Sequence, residues 1–561
     1  MDDDRKVGEH SHGNGDAGRG FLDLRPSTRR QLATVLAERP GACQILGLTP
    51  AEQVLLLRQV ILVVEQNYVN LLLKQNEHHV DPVGRLNNLL PDAANGKLPG
   101  DDFHRALTDI LREVRDRHLA YELPGPAKEC VAFLPFTMAE ITEDGRRRYI
   151  VSQCLEDSDP QFVPGVEIVS WDGNTIDRAI ADEADRQSGC SPDARRALAI
   201  RALTLRVLLF NTVPIQNGVD VGYVTLAGTA TGRRFNWRVA NGLRSNPASR
   251  VNGTGRNGDQ ELAVLRQLRR TIFTHGTAKV AARTARMSTT APHLPPAPPT
   301  RDVDLSYMTL NAGAKSYGYI RIWTFAGQLG PTQFVNEFVK LLGKASASGL
   351  IIDIRDTPGR KIEAAERILQ TLTGERITPE PFQFRNTDLN LRICMKGGDD
   401  EDDFRRWIPS IRAGLQNGKD YSDGFPKTDP ALCNSVGRRY RGPVVLITSA
   451  TTYSSADIFA AGFQDHKIGP VLGIHPTTGG GGANSTVHSD LEGLGLTNSP
   501  YAPLPQLAEL RLALRRSLRV RGNEGVVLED AGVTADVRHD VTRDDVLHGY
   551  PDMIQKAISL L

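Results

Sequence analysis

From Ser27 to about Arg117 apolar residues recur at helical spacing. Leu55, Val60, Ile61, Val64 and Leu71 to Leu73 build apolar faces, and Thr49-Pro50 reads as a helix start, a hydroxyl cap before a proline. Phe103, Leu107, Ile110, Leu111 and Val114 mark a further helix, with Asp101 or Asp102 as its cap. These helices fill a region over residues 21–127. Residues 1–20, rich in Gly, Asp and His without apolar periodicity, read as a disordered tail. Residues 128–242 change to a β-rich pattern. Tyr149 to Ser152 and Val166 to Trp171 are strand-like, Asp172-Gly173 signals a turn, and Ala179 to Leu209 reads as one long helical insertion. Residues 243–302 lose the core pattern. Ser245 to Gln260 is polar and Pro292 to Pro299 is Pro-rich, so this is linker around one short helix, Glu261 to Phe273. In 303–561 strands alternate with helices. Tyr319 to Trp323, Leu350 to Ile354, Val444 to Ile447 and Val471 to Ile474 read as strands, with Thr332 to Lys344 and Lys361 to Leu372 as helices. The alternation predicts an α/β core, a mixed sheet with parallel centre.

The most informative stretch runs from Gly442 to Asp465. The buried strand at Val444 to Ile447 leads into a polar turn, Thr448 to Tyr453. Ser454 and Ser455 then precede the helical pattern Ile458, Phe459, Ala461, Gly462, Phe463. A serine there can expose its hydroxyl beside free helix-start N–H groups, which stabilise an oxyanion. The other role for either serine is to cap the helix.

Composition narrows the field. The chain has 561 residues and a net charge of +1, so no bulk field attracts nucleic acid or an anionic membrane. No apolar run is long enough for a membrane span. The N-terminal Met1-Asp-Asp-Asp-Arg-Lys starts acidic and lacks an apolar segment, so it does not read as a secretory signal. Six cysteines are scattered without a CxxC pair, which fits reduced thiols in a cytoplasm rather than a zinc site. Unconventional export is left open. No metal site and no cofactor is expected.

Four motifs, in order, carry a resemblance. Tyr317-Gly-Tyr-Ile-Arg-Ile322 and Gly349-Leu-Ile-Ile-Asp-Ile-Arg-Asp-Thr-Pro-Gly359 resemble the entry strand and oxyanion loop of the C-terminal-processing (tail-specific) and tricorn-core serine peptidases. Tyr453-Ser-Ser-Ala-Asp457 with Phe463-Gln-Asp465 resembles their nucleophile segment, and Glu529-Asp-Ala-Gly-Val533 their closing motif. The resemblance covers about residues 305–540 and implies a serine endopeptidase acting on proteins or peptides, with no nucleic acid and homo-oligomerisation left open. Ser454 falls on the nucleophile. Asp116-Arg-His118 resembles the segment that carries the general base of the tricorn-like branch, which implies His118 as base. Glu529 falls on the closing glutamate, as the acid. Gly359 and the N–H of Ser455 fall on the oxyanion donors. Phe162 to Gly173 resembles the PDZ-like module of many such peptidases, although a purely structural β-domain fits as well.

The residues set limits of their own. Many tail-specific members use a lysine base, but the corresponding stretch here is Gly473-Ile-His-Pro-Thr-Thr-Gly-Gly-Gly-Gly482. Lys467 lies beyond a helix that carries it away from Ser454, so a Ser–Lys dyad is not expected. A serine needs a base to act as nucleophile near neutral pH. His118 is the first choice and His475, beside the glycine run, the second. That run is otherwise a flexible loop, and no Lys-Ser/Thr follows it as in a P-loop. Leu510, Leu512, Leu514, Leu518 and Val520 alternate with arginines, which reads as a strand with one basic face, a helix being the alternative. Glu524 is the rival acid, and either glutamate could instead pair with those arginines. Two other functions stay open: a peptide-binding or scaffolding relative without activity, and an apolar small-molecule carrier, since retinoid-carrier domains resemble this fold.

Overall fold

The computed structural model describes residues 45–125, 130–155, 160–209, 211, 213–214, 216–240, 273, 292–294, 303–346, 348–397 and 403–561. The expected tail at 1–20 and most of the 243–302 linker lie outside them, as does the helix expected at Glu261 to Phe273 apart from its last residue.

The α/β core forms as its pattern predicts. A six-stranded sheet runs Leu305–Ala312, Lys315–Ile322, Leu350–Asp353, Val444–Thr448, Val471–Gly473 and Val537–Arg538. The first pair is antiparallel and every later pair parallel. All five residues of Val444–Thr448 are buried, as a central strand covered on both faces requires. Helices Pro331–Leu342, Ile362–Leu369 and Ser455–Asp465 supply one cover, packing Phe334, Phe338, Ile368, Phe459 and Phe463 into one core.

A second sheet joins the two ends of the chain. Strand Glu509–Ser517 pairs with Ala120–Glu122, with Pro381–Phe384 and with Ala483–Val487. Helices Pro50–Gln66, Leu71–His78, Pro82–Ala94 and Gly100–Glu113 pack beside it, burying Leu56, Val60 and Phe103 against Leu510 and Leu512. The first helix starts at a capping box, with Thr49 and Glu52 each satisfying the other's backbone N–H. A third, antiparallel sheet builds the β-rich region from Phe136–Glu143, Arg146–Cys154, Glu167–Trp171, Gly218–Val224 and Ala230–Asn236. Asp172 and Gly173 turn there with positive φ, as that dipeptide suggests.

Several expectations are corrected. The helical insertion is two helices, Ile176–Ala184 and Pro192–Ala202, followed by strand Leu205–Val207. The break comes at Ser191, whose hydroxyl caps the second helix with Pro192 at its first position. Pro99 takes the cap position of Gly100–Glu113, so Asp101 and Asp102 sit in its first turn, where they favour the helix dipole. Glu509–Ser517 is a strand, but its arginines do not form a solvated face. Arg515 is fully buried, its guanidinium 4.7 Å from the ring centre of Phe404 and 5.0 Å from that of Trp407. The glycine run is no flexible loop, because all four glycines are buried. A Cβ on Gly481 would lie 2.0 Å from the Tyr453 ring. Cys130 is disulfide-bonded, while Cys154, Cys190, Cys394 and Cys433 are thiols outside any disulfide. The expectation of uniformly reduced thiols therefore fails, and with it that support for a cytoplasmic setting. Thiol titration of unfolded protein without reductant should find fewer than the six groups that appear after reduction. Among the described residues no helix is long and apolar enough to cross a membrane.

One buried acid makes the fold pH-sensitive. Glu366, on helix Ile362–Leu369, accepts a hydrogen bond from the Glu380 N–H at 2.8 Å, and both carboxyls are buried. Burial pushes Glu366 from an ordinary 4.5 up to about 7. Between these values the unfolded chain has lost the proton that the folded chain keeps, so stability falls as pH rises through the window. Glu366→Gln keeps the acceptor oxygen and removes the charge. Its melting temperature should match wild type at pH 4 and exceed it at pH 8; a variant less stable at pH 8 would contradict this account.

Candidate active site

Ser454 stands at the start of helix Ser455–Asp465, but its side chain makes no capping hydrogen bond. Its backbone has φ 63° and ψ −129°, a conformation that β-carbon sterics disfavour. The turn that produces it is held from both sides. The Tyr453 N–H donates to the Thr357 carbonyl at 3.4 Å, and the N–H groups of Asp457 and Ile458 donate back to the Ser454 carbonyl.

The loop at 355–360 comes up against this turn. Gly359 is so close that a Cβ there would lie 2.1 Å from the Ser455 nitrogen and 2.6 Å from the Ser454 Cβ. The next N–H, of Arg360, donates to Ser455 Oγ at 2.8 Å. Asp353 anchors the loop. Burial pushes its carboxyl up, but the Arg321 and Arg355 guanidiniums hold it down at about 2. Arg355 donates to both Asp353 oxygens and Arg321 to one of them, at 2.8–3.1 Å. Thr357 ties the loop to the Ile322 carbonyl at 2.7 Å.

His118 arrives from the other end of the chain. Helix Gly100–Glu113 ends, Arg115 turns with positive φ, and Ala120–Glu122 then joins strand Glu509–Ser517. Asp116 shapes the turn by accepting the His118 N–H at 2.6 Å. The imidazole Nε2 lies 3.3 Å from Ser454 Oγ, though the residues are 336 positions apart. Tyr453 stacks on the ring, centres 4.7 Å apart. Burial lowers the His118 pKa to about 3; Asp116 opposes this, while Arg511 and Arg117 add to it. A cleft opens over the pair, lined in part by Arg117, Arg360, Asn484 and Arg511.

The acids divide clearly. Glu524 is exposed, away from this cleft. Glu529 is buried, with an oxygen 2.7 Å from the Lys74 ammonium, so its partner is neither an arginine nor solvent. Asp116, His118 and Glu529 carry donor atoms within 4.8 Å of one another. Asp116 Oδ1 lies 3.8 Å from His118 Nδ1, and no described residue hydrogen-bonds that nitrogen. Asp116 already accepts from Tyr68 at 2.7 Å, Asn70 at 3.1 Å and the His118 amide. Burial raises its pKa, but Lys74, His118 and these donors leave it below the ordinary value. The three residues do not suit a divalent ion, because Asp116 is saturated and an ammonium already faces Glu529.

The rival bases lie elsewhere. His475 Nδ1 accepts the Ala450 N–H at 3.2 Å. Lys467 is exposed beyond the far end of the Ser455–Asp465 helix. Two features were not singled out in the sequence. Lys74 is one, although Asn70, Lys74 and His78 recur at four-residue intervals along helix Leu71–His78 and its cap. Asp457 is the other. Its carboxylate accepts from Thr478 at 2.5 Å and the Gly481 N–H at 2.8 Å, fastening the glycine run to the helix behind Ser454. Burial pushes Asp457 up to about 6.

A strand–turn–helix serine facing an imidazole, in a mixed α/β core, is an arrangement that serine-type peptidases use. Residues 316–504 match the profile of Peptidase family S41. Among solved structures it is similar to mature CPAF, with a TM-score of 0.64 at 16% identity over 91% of this chain and 97% of that one. It is similarly close to mature CPAF complexed with lactacystin, with a TM-score of 0.62 at 16% identity, covering 91% and 98%. At that identity the likeness speaks for the fold. No curated protein matches the chain by sequence.

The geometry makes a direct statement about protonation. The His118 imidazole should stay neutral well below pH 6, since its pKa lies at about 3. Histidine-selective NMR of the folded protein should show one ring that does not titrate between pH 5 and 8 and that His118→Gln removes. A His118 signal titrating near 6.5 would show the ring to be solvated.

Proposed function

We propose that this chain is a serine endopeptidase with Ser454 as nucleophile, His118 as general base and Glu529 as the acid behind it. The 3.3 Å approach of His118 Nε2 to Ser454 Oγ carries the reading. Ser454 Oγ attacks the scissile carbonyl carbon while His118 Nε2 takes its proton. The tetrahedral oxyanion is received by the N–H groups of Gly359 and Ser455. His118 then gives the proton to the departing amine as the C–N bond breaks. Water, deprotonated by the same nitrogen, releases the acyl group and restores the serine. A base with a low pKa is a weak proton acceptor, so a carboxylate behind Nδ1 matters. Glu529 can serve through one water, because Nδ1 and the acids around it lie at spacings that a single water bridges.

Two further assignments belong to this reading. The region 128–242 acts as a PDZ-like module that can add a substrate strand at its Ala230–Asn236 edge, whose side chains are mostly exposed. The disulfide at Cys130 favours oxidising surroundings over a reducing cytoplasm.

Ser454→Ala should lower hydrolysis of an unfolded protein by roughly 10³-fold or more without shifting the melting temperature. His118→Ala should do the same, whereas Lys467→Ala should leave the rate near wild type. A fluorophosphonate probe should label the wild type and spare Ser454→Ala. Full labelling of that variant would move the nucleophile elsewhere, and an unlabelled, inactive wild type would favour the scaffolding relative.

A further inference from the structure

Lys74 is fully buried on helix Leu71–His78. Its ammonium donates to Asp530 Oδ1 at 2.5 Å and to the Arg115 carbonyl at 3.2 Å, and it forms an ion pair with Glu529 Oε1 at 2.7 Å. These partners stand on both sides of the site: Arg115 lies in the turn that delivers His118, and Glu529 and Asp530 lie in the closing motif. We propose that Lys74 is a positioning residue of the peptidase site, its ammonium holding the Glu529 carboxylate ionised and in place behind His118. This rests on the assignment of Glu529 as the acid.

Lys74 is not a rival base. Burial alone would lower its pKa, but Glu529, Asp116 and Asp530 outweigh burial and keep it charged. Glu529 is in the opposite position. Burial and then Asp116 push it well above the ordinary carboxylate range, and Lys74 is the cation that pulls it back. The other groups around it add no positive charge. Tyr68, Tyr453 and Cys190 are driven up by burial and stay neutral, and His118 is driven down and is neutral too. Asp530 adds a negative charge, which His78 shares at 3.2 Å. Among these groups Lys74 is the one cation that favours an ionised Glu529.

The test is the pH dependence of fluorophosphonate labelling of Ser454 in the full chain, from about pH 5 to 9.5. Lys74→Met should move the acid limb of the profile up by about one pH unit or more and recover rate at alkaline pH. Lys74→Arg, which keeps the charge, should hold the limb near wild type. In a Glu529→Gln background Lys74→Met should cost less than about threefold, because the group it acts through is gone. Asp530→Asn alters a partly exposed acid and should move the limb to lower pH, so the proposal stays testable if Lys74→Met does not fold. A Lys74→Met loss of equal size at every pH, or one undiminished in the Glu529→Gln background, overturns the proposal, as does a limb unmoved by Asp530→Asn. A Glu529→Gln variant with the wild-type rate and limb sinks the assignment of the acid itself.

Discussion

Pairing between Ala120–Glu122 and the start of Glu509–Ser517 is the contact on which the site depends. It joins a strand that follows His118 directly to a strand that leads on to Glu529. Arg511 pairs opposite Ala120 and also donates to the Arg117 carbonyl at 2.5 Å, so the grip extends to the residue beside His118. Three residues of ladder are weak on their own, at a net of about 1 kcal/mol per hydrogen bond. The larger contribution is apolar. Leu510, Leu512 and Ala513 are buried with Leu56, Val60 and Tyr121 in one core, and the Val69 N–H donates to the Ala513 carbonyl at 3.0 Å. The N-terminal helices therefore do more than carry a histidine. They bury the strand that fixes where the histidine points.

That arrangement encloses three carboxylates around one ammonium. Stripping a partner from a buried ion pair costs about 3–5 kcal/mol, so such a cluster survives only where each charge is served. Asp116 is served by dipoles from Tyr68, Asn70 and the His118 amide. Asp530 is served by Lys74, His78 and partial exposure. Glu529 is left with Lys74 alone among these partners, so its charge depends most on that one ammonium. An acid in that condition is sensitive to the charge of its neighbour. In the proposed mechanism, an imidazolium formed at His118 would add a second cation beside Glu529. The stabilisation therefore appears as the reaction proceeds and is absent in the resting site.

The core was legible in the sequence because both of its signals are local. Val444 to Ile447 and Leu350 to Ile354 are unbroken apolar runs, and Pro331–Leu342 repeats at helical spacing, so periodicity and burial agree. Positions within the site were legible mainly through motifs. Nothing local relates His118 to Ser454, and the strand pairing that does so depends on a register no single segment encodes. The misread places share one cause: polar residues whose partners are distant in sequence. Arg515 read only as part of a basic face because its aromatic partners lie in the segment from 382 to 407. Lys74 passed unnoticed because Glu529 lies at the other end of the chain. The glycine run looked flexible because glycine permits motion, whereas here it permits close packing under Tyr453.

The energetic character of the site bears on whether the fold has kept its chemistry. A backbone held at φ 63° on a serine costs on the order of 1–3 kcal/mol. Taking the His118 imidazole out of bulk water costs a comparable amount. Glu529 in its buried setting adds a third penalty. None of these helps a peptide-binding scaffold, which would be more stable with a helix-capping serine, a solvated histidine and an apolar residue in place of the glutamate. The three costs also converge on one point, the Ser454 hydroxyl and the ring beside it. Unfavourable features scattered through a protein suggest poor packing. Unfavourable features gathered within one hydrogen-bond network, at the mouth of a cleft, are what proton transfer from a serine requires, and that convergence favours a working peptidase over a relict of one.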